Sequence, residues 1–195
     1  MKDFLQKTLL KIVTFGARKI AKVKAPWTHK GVKAEHYHQL RKVIKPGMVL
    51  LSRTDGEFSN IFIPGEFSHS AFVKNDLRCV EAVSKSVSDT DLIDFMLTKD
   101  RVVCLAPKFA DEGQMQDAAV LAETFLGSPY DYSMEYSDIK AFFCSELIYY
   151  CYETVLKNSP FKLRNIFGVS TVAPSDFWQA TAKFTVVWDS NNTKI

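Results

Sequence analysis

Between residues 46 and 107, short hydrophobic runs are separated by Gly, Pro, Asn and Asp. β-branched and aromatic residues are frequent in these runs, a pattern typical of an antiparallel meander of strands. Strands are predicted over residues 48–52, 68–74, 77–83 and 102–106. The second and third strands are expected to form a hairpin that turns at Asn75 and Asp76.

Helical spacing of apolar residues follows in the second half of the chain. Residues 111–126 begin with an acidic residue, repeat apolar residues at helical spacing and stop at Gly127, which favours one helix. Shorter helices are predicted over residues 91–97, from about Cys144 onward, and from Pro174, which precedes Ser and Asp. A last strand is predicted over residues 184–188, and the predicted fold class is therefore α+β.

Residues 1–24 have the apolar and cationic spacing of an amphipathic helix. They carry seven Lys or Arg and one Asp, a net charge of +6, whereas the rest of the chain sums to −3. Two interpretations stay open: the helix packs on the domain with its lysines in water, or it contacts a membrane surface or a protein partner. Because lysines interrupt every apolar run, we expect neither a signal peptide nor a transmembrane segment, and a cytoplasmic location.

The composition is that of one globular domain: 195 residues, of which 47% are hydrophobic and 24% charged. It excludes disordered, collagen-like and repeat classes, and a chain of this length needs no disulfide or metal to fold. We expect a basic N-terminal arm over residues 1–45 and one catalytic or binding domain over residues 46–195. No nucleic-acid partner and no cofactor are expected.

Cysteine is the first candidate for chemistry. Cys79, Cys104 and Cys151 occur in apolar contexts and are expected to be buried and inert. Cys144 follows two phenylalanines at a predicted helix N-terminus, where free backbone N–H groups and the helix dipole favour the thiolate. The same amides can stabilise an oxyanion, so Cys144 is the candidate nucleophile, with a purely structural cysteine as the alternative.

Of the four histidines, His69 has the context expected of a general base. It lies in a predicted strand on the same face as apolar residues, where an imidazole is costly unless something uses or satisfies it. Glu81 lies in the next strand, and in a hairpin whose paired numbers sum to about 151 it would lie beside His69 and orient the ring. The alternative is a structural His–Glu pair.

The other three histidines, His29, His36 and His38, occur in a polar stretch that is expected to be a solvated loop. A zinc clip is the weaker alternative, because no carboxylate cluster or cysteine accompanies them. No metal site is therefore predicted.

These motifs together resemble the circularly permuted NlpC/P60 cysteine hydrolases, in the YiiX-like and poxvirus G6-like branch. The resemblance covers about residues 46–188 and is carried by the first strand and by five short motifs. These are Ser68-His69-Ser70-Ala71-Phe72-Val73, Val80-Glu81-Ala82, Gly127-Ser128-Pro129-Tyr130-Asp131, Phe143-Cys144-Ser145-Glu146-Leu147 and Pro174-Ser175-Asp176. This sequence departs from the family pattern at Gly47-Met48, because the first strand of family members usually begins Gly-Asp.

The resemblance implies a papain-like fold, with an antiparallel sheet or half-barrel packed against helices. It implies a thiol hydrolase of amide bonds in which Cys144 attacks, His69 is base and acid, and Glu81 orients the ring. Tyr130 would match a tyrosine placed near the substrate, or donate to the oxyanion. A peptide or cell-wall peptide amide is the expected substrate. A lipid acyl amidase, esterase or acyltransferase at a membrane surface, and a non-catalytic binding module, are the alternatives.

Overall fold

The structure is a computed structural model that describes residues 31–55, 63, 65–136, 140–166 and 168–192. The predicted helix of residues 1–24 and His29 lie outside the described residues. Within the described ranges, no helix has both the length and the apolar character needed to cross a membrane.

Six strands form one antiparallel sheet. They are β1 (Val49–Arg53), β2 (His69–Val73), β3 (Arg78–Val83), β4 (Ser86–Asp91), β5 (Arg101–Pro107) and β8 (Phe184–Asp189). The spatial order is β4-β3-β2-β1-β5-β8, with each neighbouring pair antiparallel. Two further strands, β6 (Arg164–Ile166) and β7 (Val169–Thr171), form a separate small hairpin.

Helices cover both faces of this sheet. They are α1 (Ala34–Leu40), α2 (Leu92–Leu97), α3 (Glu112–Glu123), α4 (Cys144–Leu156) and α5 (Pro174–Gln179). On one face Phe72 of β2 packs on Tyr152 of α4, with 5.4 Å between ring centroids. On the other face the His69 ring lies 6.0 Å from that of Phe95 in α2. The α+β prediction is confirmed, since an antiparallel sheet packs against helices without closing into a barrel.

Several local features were not predicted from the sequence, among them strand β4, helix α1 and the β6–β7 hairpin. Strand β4 was not predicted, because its sequence is mostly polar and only Val87 in it is buried. It forms because all six of its residues pair with β3 at the sheet edge. His36 and His38 lie on α1 rather than in a loop. Residues 32 and 40, both before the predicted domain boundary, are buried in the same hydrophobic core as the sheet.

Candidate active site

The Cys144 thiol lies at the first residue of α4 and is 5% exposed. The helix start is held by two side chains of its own first turn. The Glu146 carboxylate accepts a hydrogen bond from the backbone N–H of Phe143 at 3.3 Å. The Ser145 hydroxyl donates to the carbonyl oxygen of Val172 at 2.7 Å, which ties the helix start to the segment before α5. The thiol is therefore fixed at the positive end of the helix dipole.

His69 and Glu81 lie on neighbouring strands and on the same face of the sheet. In the observed register Phe72 pairs with Val80, so paired residue numbers sum to 152 rather than to the predicted value of about 151. A sum of 151 would have turned Glu81 to the opposite face, whereas the observed register places it diagonal to His69. The two side chains meet, with His69 Nε2 at 2.6 Å from Glu81 Oε2.

The carboxylate of Glu81 is held ionised in a buried position. Burial alone would raise its pKa, but hydrogen bonding to His69, the positive charge of that ring and a hydrogen bond from Thr90 lower it below its usual value. Because Nε2 of His69 is committed to Glu81, the ring nitrogen that remains for Cys144 is Nδ1.

Electrostatics favour a charged pair between His69 and Cys144. Burial alone would lower the pKa of His69, but hydrogen bonding to Cys144 and to Glu81 raises it to about 9. Burial likewise opposes the Cys144 thiolate, but hydrogen bonding to His69 and the positive charge on its ring lower the pKa of that thiol below its ordinary value. The favoured resting state is thus a thiolate beside an imidazolium.

Ser70 also acts on the Cys144 sulfur. Its backbone N–H and its hydroxyl both lower the pKa of the thiol. The Ser70 side chain is fully buried on β2, directly after His69. Neither Ser70 nor Thr90 was singled out from the sequence. The signal for Ser70 was a serine inside an otherwise apolar strand, next to the candidate base.

Tyr130 lies on the loop that leads into α4. Its backbone forms a parallel bridge with Phe142, two residues before Cys144. Its N–H donates to the carbonyl of Lys85 at 3.0 Å, and its ring packs on that of Tyr132 at 4.8 Å between centroids. Burial, followed by the negative charge of Cys144, raises the pKa of Tyr130 well above its usual value. The hydroxyl therefore stays protonated and can donate.

The remaining candidates lie apart from this site. Cys79, Cys104 and Cys151 are fully buried, and burial raises the pKa of each thiol. On α1, His36 Nδ1 accepts from the N–H of Lys33 at 3.0 Å. Across the part of the chain that the structure describes, no group of three or more His, Cys, Asp or Glu is placed to hold a metal ion.

Comparison with known proteins agrees with this fold and identifies the family. A crystal structure of the metalloprotein yiiX from Escherichia coli O157:H7 superposes with a TM-score of 0.61, at 19% identity over 74% of this chain and 96% of that chain. At this identity the likeness concerns the fold. No curated protein matches in sequence.

The family match extends over the sheet and the helix that carries Cys144. Residues 43–191 match the family described as permuted papain-like amidase enzymes, YaeF/YiiX, C92 family. The chain belongs to the YaeF/YiiX permuted papain-like amidases of family C92, and it is a hydrolase of the cysteine peptidase and amidase class.

Proposed function

We propose that this protein hydrolyses an amide bond through Cys144, His69 and Glu81, with Cys144 as the nucleophile. The observation that supports this most directly is the position of His69, whose ring interacts with both Cys144 and Glu81 and has its pKa raised to about 9. A nucleophile, a base and a group that orients the base are the parts that an acyl-transfer site requires.

In the proposed reaction the Cys144 thiolate attacks the amide carbonyl carbon and forms a tetrahedral intermediate. The developing oxyanion is stabilised by the backbone N–H of Cys144 and by the hydroxyl of Tyr130. His69 donates its proton from Nδ1 to the leaving nitrogen as the C–N bond breaks, which leaves an acyl-enzyme thioester. His69 then removes a proton from water, and the resulting hydroxide attacks the thioester carbon. The C–S bond breaks, which releases the acid and restores the Cys144 thiolate beside the protonated His69.

Glu81 keeps the imidazole oriented during both steps. It accepts from Nε2, so Nδ1 remains the atom that exchanges protons with sulfur, the leaving group and water. Its charge also stabilises the imidazolium before the leaving group takes the proton.

A peptide amide is the proposed substrate class. The second candidate is a fatty-acyl amide or ester at a membrane surface, favoured by the net charge of +6 and the amphipathic spacing of residues 1–24. Both candidates use the same Cys144 chemistry and differ in the acyl group that the site accepts.

The proposed mechanism uses no metal. The structural relative is described as a metalloprotein. Among the described residues of this chain, no group of three or more His, Cys, Asp or Glu side chains is placed to hold a metal ion, and no step is routed through one.

Covalent trapping tests the proposal. Two electrophilic probes, one with a peptidyl and one with a long fatty-acyl group, are incubated at neutral pH with wild-type protein and with the Cys144→Ala, His69→Ala and Cys151→Ala variants. Labelling at Cys144 in wild type and Cys151→Ala, lost in Cys144→Ala and strongly reduced in His69→Ala, is the expected result. Equal labelling of wild type and His69→Ala would contradict the role of His69 as the base. The probe that reacts faster identifies the class of acyl group that the site accepts.

A further inference from the structure

Ser70 is a buried polar residue that the proposed reaction has not used. Its side chain is 0% exposed, and its hydroxyl has no hydrogen-bond partner among the described residues. A buried hydroxyl without a hydrogen-bond partner destabilises the fold, so the presence of Ser70 in a core strand needs an explanation.

The geometry of strand β2 directs the Ser70 backbone toward Cys144. The N–H of Val73 donates to the carbonyl of Met48, which means that odd-numbered residues of β2 direct their amides to the β1 side. The amide of Lys74 donates to the carbonyl of Arg78, so even-numbered residues direct theirs to the β3 side. The Ser70 amide therefore faces the β3 side.

The ladder between β2 and β3 ends before it reaches Ser70. The observed pairs are Phe72 with Val80 and Val73 with Cys79, whereas β3 continues to pair with β4 as far as Val83. The β2–β3 ladder thus ends at Phe72, which leaves the Ser70 N–H outside it. Interaction with Ser70 lowers the pKa of Cys144 at the start of α4, so this free end of the ladder lies close to the thiol.

We propose that Ser70 is a positioning residue that stabilises the Cys144 thiolate, with its backbone N–H and its hydroxyl both donating to the sulfur. This inference rests on the proposed function. A thiolate is a stronger hydrogen-bond acceptor than a thiol, so the hydroxyl gains its partner when Cys144 ionises. The contribution of Ser70 is independent of His69, because it stabilises the negative charge without exchanging a proton in the reaction.

The pH dependence of Cys144 alkylation by iodoacetamide tests this inference without any substrate. Full-length wild type is compared with Ser70→Ala, which keeps the N–H but removes the hydroxyl, and with Ser70→Thr, which keeps both. Thr171→Val is the matched control. Thr171 is also buried, and its hydroxyl also lacks a partner among the described residues, but it lies on β7, outside the six-stranded sheet.

Because the hydroxyl no longer stabilises the thiolate, we expect Ser70→Ala to raise the midpoint of the alkylation profile by about one pH unit. This shift corresponds to a tenfold change in the ionisation equilibrium of the thiol. Ser70→Thr and Thr171→Val should keep the wild-type midpoint, and thermal unfolding of all variants shows that each is folded. An unchanged midpoint in Ser70→Ala, or an equal shift in Ser70→Thr, would overturn the role of the hydroxyl. A wild-type midpoint at the value of an ordinary cysteine would instead contradict the proposed function.

Discussion

The ring of His69 and the carboxylate of Glu81 form the shortest polar link across strands β2 and β3, with 2.6 Å between Nε2 and Oε2. The side chains are 15% and 7% exposed, so little water screens their interaction. This link fixes which nitrogen of His69 faces Cys144, and it stabilises the positive charge on the ring.

Replacing Glu81 by Gln should lower the pKa of His69 from about 9 toward the usual value for histidine, because the amide carries no charge. General acid–base catalysis typically contributes 10²- to 10⁴-fold, so we expect kcat/KM to fall by about 10²-fold. NMR titration of His69 and steady-state kinetics measure the two effects. Glu123→Gln, which removes a carboxylate that pairs with Lys74 at 2.7 Å, is the control and should change neither. An unaltered His69 titration in Glu81→Gln would contradict the orienting role.

Amide hydrolysis and the alkylation of Cys144 by iodoacetamide should differ in their pH dependence. The pKa of His69 is raised to about 9, so its proton is present below that pH and is lost as the pH rises through it. The pKa of Cys144 is lowered, so its thiolate forms below the ordinary pKa of the thiol. We expect a bell-shaped kcat/KM with an alkaline limb near pH 9, because the leaving group needs the imidazolium proton.

Iodoacetamide needs only the thiolate, so alkylation of Cys144 should not decline on the alkaline side. Stopped-flow alkylation and kcat/KM are measured across the same pH series in the same buffers. If kcat/KM stayed level well above pH 9, the imidazolium would not be the acid in the reaction.

Replacing Tyr130 by Phe keeps the ring and removes the hydroxyl. Loss of one oxyanion donor typically costs about 10²- to 10³-fold in kcat, and we expect a loss of this size with KM little changed. Alkylation forms no oxyanion and should be unaffected. Tyr132→Phe is the matched control, because the Tyr132 hydroxyl donates to the carbonyl of Ser84. A change in KM alone would assign Tyr130 to substrate contact instead.

Replacing Arg101 by Met should destabilise the fold. Arg101 donates to the 3% exposed carboxylate of Asp189 at 2.7 Å, and its guanidinium lies 5.1 Å from the ring centroid of Phe67. Removing one partner of a buried ion pair typically costs about 3 kcal/mol or more, because the other charge is left unpaired. Chemical denaturation measures the loss.

The double variant Arg101→Met with Asp189→Asn provides the control for this prediction. It should recover part of the lost stability, since it no longer buries an uncompensated carboxylate. If the double variant were as unstable as the sum of the two single variants, the interaction between these residues would not be the cause.

Local sequence patterns were sufficient to predict those helices and strands whose formation depends on their own residues. Helix α3 begins as expected after Asp111, whose carboxylate accepts from the N–H of Gln114 at 2.9 Å. Strand β4 lacked such a signal, since its residues are mostly polar and its formation depends on pairing with β3. Edge strands of this kind are specified by their neighbour, which a local pattern does not contain.

By itself, the sequence determined the α+β class and the residues capable of nucleophilic and acid–base chemistry, because periodicity and side-chain type are local properties. Only the tertiary structure decided the register that puts His69 and Glu81 on one face, and the end of the β2–β3 ladder before it reaches Ser70. A shift of one residue in pairing turns a side chain to the other face without any change in the local pattern. Long-range packing of α4 against the sheet therefore decides which of these groups can act together.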